Sequence, residues 1–223
     1  MVFLHKILIL TSKYLPNPSA NGINTKYIID ELKYRKNEVT CISIKGFNEQ
    51  NYDNIDGTHI YRIKPSFYSK ITAKESSYKK NIYKRFIFYL IRFLRKIKQV
   101  ILIFNFPNFD IRQTIRTYNL LEKLYKKNNY DCIIAIFKPY SNIAALKRFK
   151  KNYPEVKCIG YYLDLINSMK KPKFMPNRFY EWLCYKEEIE TFSLFDLLLM
   201  AKGGKNLYSS SKYDIVKNKI EYV

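Results

Sequence analysis

The sequence predicts an α/β protein, built on one open, mostly parallel sheet of about seven strands with helices on both faces. Three observations carry this. Ile7 to Leu10 is a short continuous apolar run, the pattern of a strand buried on both sides. Val39 to Ile44 is a second, β-branched run, reached through a polar two-proline loop (Thr11 to Asn21) and a helical stretch from Gly22 to about Lys36. The alternation of strand and helix returns from Tyr130 onward. Parallel neighbours need a crossover, and the right-handed βαβ unit supplies it.

Taken in order, Gly22 opens the first helix, where backbone N–H groups and the positive dipole end favour an anion. A helix-start glycine with no ligand is the plainer reading. No G-x-G-x-x-G follows, which argues against a tightly wrapped dinucleotide. Asn48 to Gly57 reads as a polar, acidic loop closed by a turn at Asp56-Gly57. Thr58 to Ile63 is the third strand, stopped by Pro65. His59 has no cluster of ligating side chains near it in sequence, so no metal is expected there.

Ser66 to Phe109 breaks the pattern and reads as a basic amphipathic helical insert. Ile82, Phe86, Tyr89, Phe93, Ile97, Val100 and Phe104 fall at helical spacing, interrupted by Lys84, Arg85, Arg92 and other cations. The uncharged run Phe86 to Ile91 is far shorter than the roughly twenty residues of a spanning helix. A basic helix with a broad aromatic face suits the headgroup region of an anionic membrane. Lys84, Arg85 and Arg92 would meet lipid phosphates while Phe86, Phe93 and Leu94 enter the acyl boundary. A core-packed helix with a solvated basic face is the competing reading.

Ile111 to Lys127 follows as an amphipathic helix, with Ile111, Ile115, Tyr118, Leu121, Leu124 and Tyr125 on one side. Asp131 to Phe137 is a buried strand, Ser141 or Asn142 caps a helix to Asn152, and Lys157 to Leu163 is the next strand. Asp164 stands at the carboxyl end of the second of these strands, on the edge that lines the ligand crevice in open α/β sheets. Asp164 reads equally as a helix cap. Asn177 to Leu194 is a helix, Asp196 to Met200 a strand, and Ala201-Lys202-Gly203-Gly204 a turn whose glycine amides could hold a phosphate, a plain turn being the simpler reading. A short helix to about Tyr213 and a strand from Lys219 to Val223 complete the pattern.

Composition bounds the function. With 47% apolar residues, 223 residues suit one ordered domain. Forty Lys and Arg against 19 Asp and Glu give a net charge of +21, which attracts polyanions. Abundant Lys, Asn, Ile and Tyr also fit an AT-rich coding bias. The basic residues concentrate on the strongly apolar segment from Tyr78 to Phe104, which favours lipid over nucleic acid. The four dispersed cysteines read as buried thiols of a cytosolic protein. Only four apolar residues follow His5-Lys6, too few for a signal peptide.

The stretch from Lys6 to Ile44 resembles the N-terminal domain of GT-B glycosyltransferases, above all the family 4 group. That domain opens with a strand, a Pro-rich loop carrying glycine, an amphipathic helix and a second strand led by "G-H-E-V". Here the glycine position reads Asn21-Gly22 and the strand lead Lys36-Asn37-Glu38-Val39. The Asp-Gly turn before a strand ending in Arg62 and Pro65, and the stretch FYEWLCYKEEIETFSLFDLLLM, resemble the family as well. The resemblance implies a Rossmann-like half of a GT-B fold over residues 1–223. It also implies transfer of a sugar from a nucleotide-diphosphate sugar to a glycan or lipid-linked hydroxyl, with no metal or resident cofactor. Substrate-binding candidates on this basis are Asn21, Gly22, Lys138, Asp164, Lys202 and Gly203, with no catalytic residue assigned. The donor-side half, with its basic pair and Glu-x7-Glu motif, lies outside this sequence. The expectation is therefore an acceptor-side domain, inactive alone, whose C-terminal donor half is truncated, separately encoded or lost; a non-catalytic glycan- or polyanion-binding module, or a membrane-associated subunit of a split glycosyltransferase, is the alternative. Its expected location is peripheral, on the inner face of the cell membrane.

Overall fold

The computed structural model describes residues 5–46, 48–65, 106–108, 110–164, 166–169, 171–172 and 175–223, together with Tyr89 and Phe93. In chain order the elements are β1 (Lys6–Leu10), α1 (Ala20–Tyr34), β2 (Glu38–Ile44), β3 (Tyr52–Ile55), β4 (Thr58–Ile63), α2 (Ile111–Asn128), β5 (Cys132–Phe137), α3 (Tyr140–Asn152), β6 (Lys157–Tyr162), α4 (Asn177–Leu194), β7 (Leu197–Met200), α5 (Lys205–Tyr208) and β8 (Ile220–Tyr222). They form one eight-stranded sheet in the order β3-β4-β2-β1-β5-β6-β7-β8. Every pairing is parallel except that of β3 with β4.

Alternation along the strands builds two cores. Leu8, Leu10, Ile133, Ala135, Phe137, Cys158, Leu198 and Met200 face the layer of α2, α3 and α4. Ile7, Ile9, Val39, Cys41, Ile134, Ile136 and Ile159 face the side of α1, packing with Ile29 and Tyr14. The central strand β1 is buried on both faces, which is why its sequence is continuously apolar rather than alternating. All four cysteines are free. Burial pushes Cys132 and Cys184 up to about 11 and Cys158 up to about 12, so none of the three presents a ready thiolate.

The fold departs from the sequence reading at several elements. Asn48 to Gly57 is not all loop, because Tyr52–Ile55 pairs antiparallel with β4 as an eighth, edge strand. Its polar sequence hides it, but the two-residue Asp56-Gly57 turn, with φ of 50° and 75°, is the tight hairpin connection. In α2 the buried face is Gln113, Thr114, Thr117, Tyr118, Leu121 and Leu124, while Ile111 and Ile115 are exposed. The threonines tolerate burial because Thr117 donates to the Gln113 carbonyl at 2.9 Å and Thr114 to Asn108 Oδ1 at 2.9 Å. Helix α3 starts behind Pro139, leaving Ser141 and Asn142 buried within its first turn instead of capping it. The chain after β7 forms short turns and α5 rather than one helix to Tyr213.

Lys36, which leads into β2, has a φ of 63°, the left-handed conformation that favours glycine. The basic insert read over Ser66 to Phe109 falls mostly outside the described residues, including Lys84, Arg85, Phe86, Arg92 and Leu94. Tyr89 and Phe93 are helical, one turn apart, and 63% and 59% exposed. No described helix is long and apolar enough to cross a membrane.

Glu188 on α4 is buried and accepts hydrogen bonds from Tyr208 Oη at 3.0 Å and Tyr213 Oη at 2.6 Å, tying the C-terminal turns to the helix. Burial raises its pKa against the opposing pull of the two tyrosine hydroxyls. The folded state then holds the Glu188 proton to higher pH than the unfolded chain does. Stability contributed at this site therefore falls as pH rises from the ordinary carboxylate range through the raised value. Thermal unfolding of wild type and Glu188→Gln across pH 4 to 7 tests this. The wild type should lose stability relative to the variant as pH rises, whereas a pH-independent difference would contradict the assignment.

Candidate functional site

Strand order reverses direction between β1 and β5, so their carboxyl ends open a crevice at the topological switch point. The loop from Thr11 to Ser19 lines one side. Hydrogen bonds within the protein fix its shape: Thr11 N donates to the Ile42 carbonyl at 3.0 Å, and Ser19 N to the Lys13 carbonyl at 3.1 Å. Thr25 Oγ1 donates to the Asn21 carbonyl at 2.6 Å, so in the 2.6 Å contact between Thr11 and Thr25 the Thr11 hydroxyl is the donor. Ser12 and Ser19 hydroxyls meet at 2.5 Å.

A fully buried arginine holds this loop from behind. Arg62 Nη2 donates to the Leu15 carbonyl at 2.7 Å, and its Nε lies 3.1 Å from Glu49 Oε2. Its Nη1 pairs with Asp53 and donates to the Gln50 carbonyl at 3.2 Å. Glu49 Oε2 also takes the Gly46 N–H at 2.7 Å. The sequence marks Arg62 as a strand position within the Asp-Gly to Pro65 pattern, with no role in holding the loop. The acidic residues crowded upstream, Glu49 and Asp53, were the available signal that its charge is compensated in place.

Helix α1 begins at Ala20, two residues before the sequence reading. Ser19 caps it by accepting the Gly22 N–H at 3.2 Å, so that amide is engaged within the protein. Gly22 itself is buried, and a Cβ there would lie 2.0 Å from the Lys13 carbonyl oxygen. The residue must be glycine for the helix to lie this close to its own loop. Asn21 faces across the crevice and donates from Nδ2 to the carbonyls of Phe137 at 3.2 Å and Lys138 at 2.8 Å. Its amide nitrogen thereby acts as a tie between α1 and the end of β5.

Lys138 and Asp164, which follow β5 and β6, form an ion pair at 3.0 Å with side chains 42% and 49% exposed. At such exposure the pair contributes about 0–1 kcal/mol, so either member exchanges partners at little cost. Asp164 offers carboxylate oxygens to a hydroxyl, and Lys138 a compact cation to a phosphate or to that carboxylate. Lys202 and Gly203 follow β7 on the same edge, in a tight turn where Gly204 N donates to the Ala201 carbonyl at 2.9 Å. A Cβ at Gly203 would meet nothing within 4 Å, so backbone crowding does not account for that glycine. The structure thus joins Asn21, Lys138 and Asp164 directly, sets Lys202 and Gly203 further along the edge, and turns Gly22 inward. Among the described residues no three His, Cys, Asp or Glu side chains gather as a metal ion would need.

The contact at Gly22 gives a direct test. Gly22→Ala should destabilise the fold by about 2 kcal/mol, because the atom it strikes is backbone and cannot swing away. Urea unfolding measures it. An unchanged midpoint would mean that the loop relaxes freely and that the glycine serves something other than packing.

No protein-family model matches the chain, and no curated protein matches it by sequence. Solved structures do. The catalytic domain of starch synthase IV from Arabidopsis thaliana, bound to ADP and acarbose, superimposes with a TM-score of 0.54 at 9% identity, over 99% of this chain and 51% of that one. The α,α-trehalose 6-phosphate synthase of Burkholderia multivorans gives 0.51 at 9% identity, over 96% of this chain and 42% of that one. Both are glycosyltransferases of the GT-B type. This chain spans about half the length of the structures it matches. At this identity the likeness is one of fold: the chain has the architecture of one Rossmann-like half of a GT-B enzyme.

Proposed function

We propose that this chain is the acceptor-side domain of a family 4-like GT-B glycosyltransferase. A sugar would pass from a nucleotide-diphosphate sugar to a hydroxyl of a glycan or glycolipid of the cell-surface polysaccharide kind. The observation that carries the reading is the Lys138–Asp164 pair at the ends of two adjacent strands beside the switch point of a GT-B half-fold. Asp164 would accept the acceptor hydroxyl and orient it. Lys138 and Lys202, on an edge that carries few acids, would favour the donor diphosphate as it approaches. Orientation across two domains supplies much of the rate in such a reaction. The second domain, continuous with this chain or separately encoded, would bring the nucleotide site.

Residues 1–223 alone should therefore bind acceptor but not turn over nucleotide sugars, and adding a compatible donor domain should start transfer. In that combined system Asp164→Asn should lower kcat/KM about tenfold, equal to about 1.4 kcal/mol, with the unfolding midpoint kept. Robust transfer by the chain alone would refute the half-enzyme reading. Glycan binding that gains nothing from any donor domain would instead make the chain a non-catalytic binding module.

The acceptor we infer is carried at a membrane surface. Support comes from the net charge of +21, from the Lys and Arg concentrated between Tyr78 and Phe104, and from the exposed, helical Tyr89 and Phe93. Aromatic side chains with flanking cations suit an anionic interface. The protein should sediment with vesicles containing anionic lipid and not with zwitterionic ones, and salt should partly release it. Changing Phe86, Phe93 and Leu94 together to Ser should abolish sedimentation. Binding to DNA or RNA with a steep salt dependence, and none to vesicles, would replace the membrane with nucleic acid.

A further inference from the structure

A cavity of about 640 Å³, lined by neither Lys138 nor Asp164, lies between α4 and the turn at Ser210–Tyr213. Its volume falls in the range of roughly 300–1,000 Å³ typical of small-molecule sites. Trp182 and Tyr185 line it, 51% and 37% exposed, although aromatic side chains of this size are normally covered. Phe179 stacks on the indole, with ring centroids 5.7 Å apart and planes 21° apart, and this fixes the orientation of Trp182. Tyr185 Oη donates to the Lys212 carbonyl at 3.1 Å, which fixes the phenol in turn. Lys186 Nζ lies over the same indole, 5.2 Å from its centroid, so Trp182 meets the cavity between Phe179 and Lys186 while the phenol of Tyr185 is anchored.

The polar lining is mixed. Glu181 and Glu188 supply carboxylates, and Arg178 and Lys212 supply cations. Glu188 forms a buried floor, held by the Tyr208 and Tyr213 hydroxyls. Two acids and two bases leave the lining without net charge in a chain of net +21, so the cavity is not selected for an anion or for a cation. What fits is a neutral ligand with one apolar face and a polar edge rich in hydroxyls. A pyranose ring has that form: its C–H face packs on an aromatic ring, while its hydroxyls donate to carboxylates and accept from Arg or Lys.

We propose that this cavity, which shares no lining residue with the crevice, is a carbohydrate-binding site that seats a neutral sugar ring against Trp182 and Tyr185 with Arg178 and Glu181 on its hydroxyls. It would hold a unit of an extended glycan at a distance from the reacting end. The site stands on its own lining and does not depend on the roles proposed for Lys138 and Asp164.

Trp182 is the one tryptophan of the chain, so its fluorescence reports on this cavity. The probes are maltotriose, mannotriose and chitotriose, titrated to tens of millimolar. At least one should shift or quench the emission saturably, with half-saturation of about 1 mM, a binding energy of about −4 kcal/mol. Glu181→Gln and Arg178→Ala keep the reporter, and each should weaken that response at least tenfold while circular dichroism stays unchanged. Asp164→Asn should leave it intact. The proposal is overturned if no trisaccharide gives a saturable response or if the response survives both cavity substitutions. Loss of the response in Asp164→Asn overturns it too, by tracing the signal to the crevice, as does a response to choline or inorganic phosphate in place of sugar.

Discussion

The two hydrogen bonds from Asn21 to the carbonyls of Phe137 and Lys138 are what the crevice depends on. They join the start of α1, which follows the first strand, to the end of β5, which comes more than a hundred residues later. A parallel sheet pairs β1 with β5 but leaves the loops beyond the strand ends free to splay. A side-chain amide that satisfies two carbonyls in succession removes that freedom and sets where Lys138 emerges. Asp164, one strand further on, is then held within ion-pair distance of Lys138. Acceptor recognition, in this account, is positioned by a tie that touches no ligand through its amide nitrogen.

The opposite wall is held by different means. Arg62 lies fully buried, with carboxylates of Glu49 and Asp53 and the carbonyls of Leu15 and Gln50 around it. Such an arrangement adds little net stability over apolar packing, yet removing one partner would cost about 3–5 kcal/mol by stranding a buried charge. Its structural effect is to fix the Pro-rich loop against β4 and the β3 hairpin. With Gly22 pressed on the Lys13 carbonyl from the other side, the loop is clamped between helix and sheet. Rigid walls would suit the proposed acceptor site, because misplacement of a reacting hydroxyl by an ångström lowers rate steeply.

Much of this architecture was legible in the sequence, for physical reasons. Strands buried on both faces announce themselves as apolar runs, and β1, β2, β5, β6 and β7 were read within a few residues. Helix α4 was read at both ends, from Asn177 to Leu194. What escaped were features that depend on contacts distant in sequence. The edge strand β3 is polar because one side meets water, so only its Asp56-Gly57 turn betrayed it. The buried face of α2 holds threonines whose hydroxyls are satisfied within the helix or by Asn108, and composition alone cannot show that. At the site, Asp164 is legible from its position after a strand, while the direction of Gly22 is not, since the Lys13 carbonyl comes to it only through the fold of the loop. The cavity beside α4 left no motif, because its lining comes from a helix and a turn some thirty residues apart.

The acceptor site proposed for this chain is the crevice between the ends of β1, β5 and β6. Photo-crosslinking locates it most directly, using a lipid-linked glycan that carries a photoreactive group beside its reacting hydroxyl, followed by mass spectrometry of the labelled peptides. Label is expected on residues 11–22, 138–142 and 163–169, reduced in Asp164→Asn and competed by unlabelled glycan. Label confined to other surfaces, or label in the crevice that neither the substitution nor the competitor diminishes, would contradict it.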